Sequence, residues 1–142
     1  ESLAAAADLV RAHRRSGIGA HPLSTLCRER WLRRDLCIDP SPVGLVDLKP
    51  VDPADQRANL RDPAPAPALG TDSDGRRVLV VCSVGVDPQV VSAAAALVLR
   101  ESPDRVVVAL PDRDVLVPVE QALARLRVPV NVVGMVCGWE DA

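Results

Sequence analysis

One cysteine stands where α/β proteins tend to place their chemistry. Cys82 closes the run Arg76 to Val86, RRVLVVCSVGV, in which a charged pair leads into unbroken apolar sequence ahead of a helix signal. A run this apolar predicts a central strand covered on both faces. The turn from such a strand into a helix is a common site position. A thiol facing a helix N-terminus there can have a lowered pKa and act as a nucleophile. Cys82, Ser83 and Gly85 at this tip, with Asp112 after a later strand on the same rim, form the candidate ligand-binding set. The tip carries no carboxylate, Lys or His, so Cys82 is the one catalytic candidate. The competing reading is a small buried residue that merely ends a strand.

Motif tests narrow the chemistry. A cysteine phosphatase needs Arg six residues after the thiol to chelate phosphate, and that position is Pro88. VLVVCSVGVDP resembles the phosphocysteine loop of the sugar phosphotransferase B subunits over about ten residues. That resemblance implies phosphoryl or thiol transfer at Cys82. However, Asp87 and Pro88 stand where the family has hydroxyls and free N–H groups, adding a negative charge and removing a donor. No G-x-G-x-x-G or G-x-x-x-x-G-K-[ST] occurs, so Gly85 reads as a turn residue. Asp112 and Asp114 flank Arg113, and capping explains them better than a divalent metal. Asp72 and Asp74 have calcium-ligand spacing without the rest of an EF-hand loop, so they read as a turn. His13 and His21 have no ligand cluster beside them. No metal or other cofactor is expected.

The elements that must position these residues follow from periodicity and punctuation. Ser2 to Ser16 reads as a helix ended by Gly17-Ile18-Gly19, and His21-Pro22 starts a second helix running to about Cys37. Leu23, Leu26, Cys27 and Arg30 or Trp31 follow its helical spacing, with Arg28, Arg33 and Arg34 on its solvated side. Within Val43 to Val51, Leu45 to Lys49 predicts a short edge strand that Pro50 ends. Asp52 to Pro67 reads as an extended Pro-rich crossing loop. Ala66 to Gly70 is a brief strand, Thr71 to Gly75 a hairpin turn, and Arg76 to Ser83 the strong strand. Asp87 and Pro88 open a helix to about Arg100. Arg105 to Leu110 is a strand, Val117 to Arg127 a helix, and Val130 to Val136 the last strand. Helical connections make the last three strands parallel, while the earlier ones are antiparallel. The predicted fold class is thus α/β: a three-layer mixed sheet with a parallel C-terminal β-α-β-α-β unit, preceded by two N-terminal helices and a short antiparallel part. The whole reads as one domain, 1–142, with a helical pair over 1–38 and an α/β core over 43–142.

Bulk composition bounds the partners. The chain has 142 residues, a net charge of −2, and no Phe or Tyr, so its core must be built from Val, Leu and Ala. It begins at Glu1, which predicts a processed or trimmed piece. No apolar run reaches membrane-spanning length and no signal-peptide pattern is present. Four isolated cysteines without a C-x-x-C pair predict free thiols in a cytoplasmic protein. The segment through Pro40 is net positive and the remainder net negative. Arg30, Trp31 and Arg34 therefore form a candidate interaction surface, since Trp and Arg are enriched at interface hot spots. A protein partner or a homodimer suits that face. The lack of aromatics disfavours nucleic acid without closing it off.

The element order resembles the restriction-endonuclease-like, PD-(D/E)xK, nuclease core, from about Leu23 to Val136. DSDGRRVLVV is similar to the family's third core strand, and RVVVALPDRDVLVPVEQALARLRVPVNVV to its later strand-helix-strand. The resemblance implies an acid on the second strand and E-x-K on the third, holding magnesium for phosphodiester cleavage. Here the acid falls near Ala68 and E-x-K at Cys82 and Val84. The implied protein is a degenerate nuclease without hydrolysis. The expectation is therefore a non-catalytic interaction or scaffold module. The alternatives are thiol or phosphoryl transfer at Cys82 and weak nucleic-acid binding by a nuclease-like domain.

Overall fold

Val, Ala and Leu build a five-stranded mixed sheet with helices on both faces. The computed structural model describes residues 27–56 and 64–137. The expected first helix, His13, His21, the start of the second helix and Trp139 lie outside them. The elements run α1 (Arg28–Ile38), β1 (Leu45–Pro50), β2 (Ala66–Asp72), β3 (Arg77–Cys82), α2 (Gln89–Glu101), β4 (Arg105–Pro111), α3 (Val117–Leu123) and β5 (Val130–Met135). The sheet order is β1-β2-β3-β4-β5. β1 to β3 pair antiparallel, and β3, β4 and β5 pair parallel. The mixed α/β architecture read from the sequence is the one observed.

The pleat of β3 divides the core. Val78, Val80 and Cys82 join Leu32 and Leu36 of α1, Ala66 and Ala68 of β2, and Val107 and Ala109 of β4. Leu79 and Val81 face the other way, with Val90, Ala94 and Leu97 of α2 and Leu123 of α3. Both crossover helices lie on that second face because each connection advances one strand in the same direction with the right-handed sense. Ala94 is wholly buried, which lets α2 sit close on the sheet.

Local chemistry fixes the connections. The helix starts at Gln89 with Pro88 as its N-cap, one residue later than expected, and the Asp87 carboxylate still accepts the Gln89 N–H at 2.9 Å. In the β2–β3 hairpin Asp72 accepts the N–H groups of Asp74 and Arg76 at 2.9 and 3.0 Å, and Gly75 takes a φ of 78°. That is the turn the spacing of Asp72 and Asp74 predicted. Two differences stand out. α3 stops at Leu123, not Arg127, and the chain tightens into Arg125-to-Ala122 and Leu126-to-Leu123 N–H to C=O bonds. Pro129 keeps only Val128 out of the helical region, so the helix cannot pass Arg127, and the i-to-i−3 bonds of Arg125 and Leu126 end it sooner. In β1 the register shifts between Leu45 and Asp47, a bulge that puts Leu45 and Leu48 on the same buried face three residues apart.

Candidate functional site

The strand tip separates the residues that the sequence groups together. Cys82 points into the core on the α1 side and is fully buried. Its strand neighbours are Ala66 on β2 and Ala109 on β4. Burial pushes its thiol far above the ordinary thiol range, and the nearby Arg33 guanidinium offsets only part of that. Ser83 is buried beside it, with its N–H donated to the Ala109 carbonyl at 3.0 Å. Gly85 lies out on the rim with a φ of 76°, where it donates its N–H to Asp114 Oδ2 at 2.8 Å. Asp112 is exposed in the 3₁₀ turn Asp112–Asp114, its carboxylate lying over Gly134 of β5. Gly85 and the Asp112–Asp114 turn therefore share a rim through Asp114, while the thiol of Cys82 faces inward. Among the described residues, no group of three or more His, Cys, Asp or Glu side chains is arranged to hold a metal ion.

This geometry makes a direct statement about reactivity. With Cys27, Cys37, Cys82 and Cys137 all outside any disulfide, alkylation at neutral pH read by peptide mapping should label the half-exposed Cys27 and Cys37 first. Cys82 should stay unmodified until denaturant opens the core, because both access and thiolate are withheld. Labelling of Cys82 in native protein at the rate of Cys27 would show the tip to be open.

The nuclease positions are apolar in the structure. β2 and β3 pair so that Ala66 faces Cys82 and Ala68 faces Val80, with Val84 beyond the strand end. Ala68, Val80 and Cys82 have no exposed surface.

The polar groups gather elsewhere, at the end of the sheet where β1 stops and β2 starts. A cleft of about 300 Å³ opens there between α1 and the Pro-rich chain on either side. Arg30 and Arg33 line it from α1, three residues apart and so on one face. Asp52 and Asp55 line it from the segment after β1, and Ala64 to Pro67 form the apolar wall. The wall is pinned from two sides. Pro67 O accepts the Val51 N–H at 3.2 Å and Arg33 Nη1–H at 3.1 Å. Arg100, in the last turn of α2, donates to the carbonyls of Asp52 and Pro53.

The arginines of α1 differ from the sequence reading. Arg30 and Arg34 are exposed as expected, Arg34 lying 4.0 Å from Asp35. Trp31 is half-buried against the α1-side core. Arg33, read as solvated, is half-buried, because α1 lays that side of the helix across the start of β2. Desolvation lowers its pKa, and Arg30 beside it lowers it further while the thiols of Cys82 and Cys37 oppose the shift. Sequence reasoning missed Arg33, Asp52 and Asp55 as cleft residues. The one available signal was the density of Pro and Asp just after β1.

Comparison with known proteins adds little. No family model matches this chain and no curated protein matches it. Among solved structures, it is similar to EndoMS in its apo form at 15% identity and a TM-score of 0.47, over 75% of this chain and 46% of that one. The chain thus spans less than half the length of that protein, and a likeness at this level carries no argument about what the chain does. No helix among the described residues is long and apolar enough to cross a membrane.

Proposed function

We propose that this chain is a non-catalytic interaction module whose recognition surface is the arginine side of α1 and the cleft beside it. The observation that carries the reading is the separation of its polar groups from its strand tip. Arg30, Arg33, Asp52 and Asp55 surround an open cleft, whereas the thiol at the tip of β3 is sealed among alanines and valines. Reactive groups need access to substrate and a pKa suited to the task, and Cys82 lacks both. Supporting the single-domain reading of residues 1–142, α1 packs directly on the sheet through Leu32 and Leu36.

A degenerate restriction-endonuclease-like domain is the second reading. The observation that favours it is the strand order, three antiparallel strands followed by two parallel ones reached through helices. Ala68, Cys82 and Val84, at the positions of the family's acid and E-x-K, make that version non-hydrolytic too.

Both readings meet the same test. Single- and double-stranded DNA, RNA and p-nitrophenyl phosphate, incubated with the chain and magnesium, should show no turnover above a blank. Low-salt titration with the same oligonucleotides should give no salt-sensitive binding, since two carboxylates share the cleft with the two arginines. Magnesium-dependent hydrolysis abolished by one substitution would overturn the non-catalytic reading. Binding that falls steeply with salt and is lost in Arg30→Ala would replace it with the nucleic-acid one.

A further inference from the structure

We infer that the cleft between α1 and the Pro-rich segments is a site for a small zwitterion, a ligand with a carboxylate at one end and an ammonium or guanidinium at the other. The inference rests on the interaction-module reading and names what that surface takes.

The arrangement of charge makes the argument. Arg30 and Arg33 put two guanidinium groups on the helix wall, and Asp52 and Asp55 put two carboxylates on the wall contributed by the segment after β1. Among the described residues no carboxylate forms an ion pair with Arg30 or Arg33, and no arginine forms one with Asp52 or Asp55. Arg33 is half-buried, and the described residues give its guanidinium one hydrogen bond, from Nη1 to Pro67 O. Guanidinium carries five N–H donors in a planar fork that matches a carboxylate with two parallel bonds. Two such groups side by side, Arg33 half-buried and Arg30 exposed at the cleft mouth, are a receptor for an oxyanion.

Size and net charge then select among oxyanions. A volume of about 300 Å³ is at the small end of ligand sites, so the occupant is of metabolite size. Among the described lining residues two positive and two negative charges cancel at long range, so a polyanion gains no steering from them and meets repulsion from Asp52 and Asp55. A zwitterion satisfies both walls at once. Between them Pro50, Pro53, Pro65 and Pro67 offer an apolar floor to a methylene spacer. The floor is preorganised: proline fixes its own φ, and Arg100 and Val51 tie the two segments down. Little ordering entropy is then left to oppose binding.

The test uses the full chain, ¹⁵N-labelled, and four probes: 6-aminohexanoate, hexanoate, hexylammonium and inorganic phosphate. The expected result is that 6-aminohexanoate shifts the amides of Val51, Asp55 and Ala66 and binds about tenfold tighter than hexanoate or hexylammonium, the worth of one added charge-assisted hydrogen bond. Arg33→Gln should weaken 6-aminohexanoate and hexanoate by about tenfold and leave hexylammonium unchanged. Asp55→Asn should weaken 6-aminohexanoate and hexylammonium and leave hexanoate unchanged or improved. Arg30→Gln, at an exposed position, repeats the arginine arm should Arg33→Gln unfold. Hexanoate or phosphate binding as tightly as the zwitterion would overturn the inference and leave a simple anion site. No shift at the cleft with any probe would overturn it as well. The non-catalytic reading falls separately, on the hydrolysis assay.

Discussion

Replacing Gly70 with alanine should destabilise the chain by about 3 kcal/mol, the upper part of the range for overfilling a packed site, and lower Tm by about 10 °C. Gly70 sits in β2 opposite Leu48, beside the bulge in β1. A Cβ at Gly70 would lie 2.0 Å from the Asp47 carbonyl oxygen, 3.0 Å from its carbon and 3.2 Å from Leu48 Cα. All three atoms are backbone, so no rotamer change relieves the contact and β1 itself must move. Moving it disturbs the bulge, the two hydrogen bonds from Thr71 to the Asp47 carboxylate, and the burial of Leu45 and Leu48. Against this, alanine at a strand position gains about 0.5–1 kcal/mol by restricting the unfolded chain. The clash must exceed that before any loss is seen. Gly134→Ala is the matched control. Its Cβ would also meet an oxygen at short range, 2.2 Å from Asp112 Oδ1, but that atom ends an exposed side chain that can rotate away. Its effect should stay within about 0.5 kcal/mol. Thermal melts of the two variants decide the matter. Equal Tm values would mean that the β1 bulge is not where the structure places it.

That pair marks the boundary between what the sequence carries and what it does not. The parallel half was legible because each element states its own period. Leu79 and Val81 belong to an apolar run, Ala94 and Leu97 to a helical face, and Val106 and Val108 to a second apolar run. Right-handed crossovers then assemble them in only one way. The bulge was not legible. VDLKP alternates well enough for a plain strand, and only the close approach of Gly70 to Asp47, 23 positions away in sequence, reveals the extra residue. The cleft was legible in part. Arg30 stood out by type and setting, but Arg33 looked equivalent to Arg34 until α1 was laid across Pro67. Asp52 and Asp55 acquire meaning only when β1 delivers them opposite that helix. Cys82 was legible as a position at a strand end, while the direction of its side chain depends on the pleat phase set by Val78 and Val80.

The pleat phase also supports the largest expected effect. Val80→Glu should cost about 5–7 kcal/mol at pH 7, comparable with the whole stability of a small domain, so the variant should be largely unfolded. Val80 has no exposed surface and lies between Ala68 on β2 and Val107 on β4. An unpaired glutamate in this setting folds only as the neutral acid. Holding it protonated at pH 7, against an ordinary value near 4.3, costs about 4 kcal/mol at about 1.4 kcal/mol per pH unit. The longer side chain adds about 1–3 kcal/mol in a close-packed layer. The sign follows from the raised folded-state pKa: the charge-related part of the loss vanishes below about pH 4 and grows as pH rises. Melts from pH 4 to 8 should therefore show the gap to wild type widening steadily. Val46→Glu, at a position 64% exposed on β1, should show no such widening. A Val80→Glu protein that melts like wild type at pH 7 would show that water and ions reach the strand interior. If it also hydrolysed a phosphodiester with magnesium, the sealed, non-catalytic sheet would be refuted.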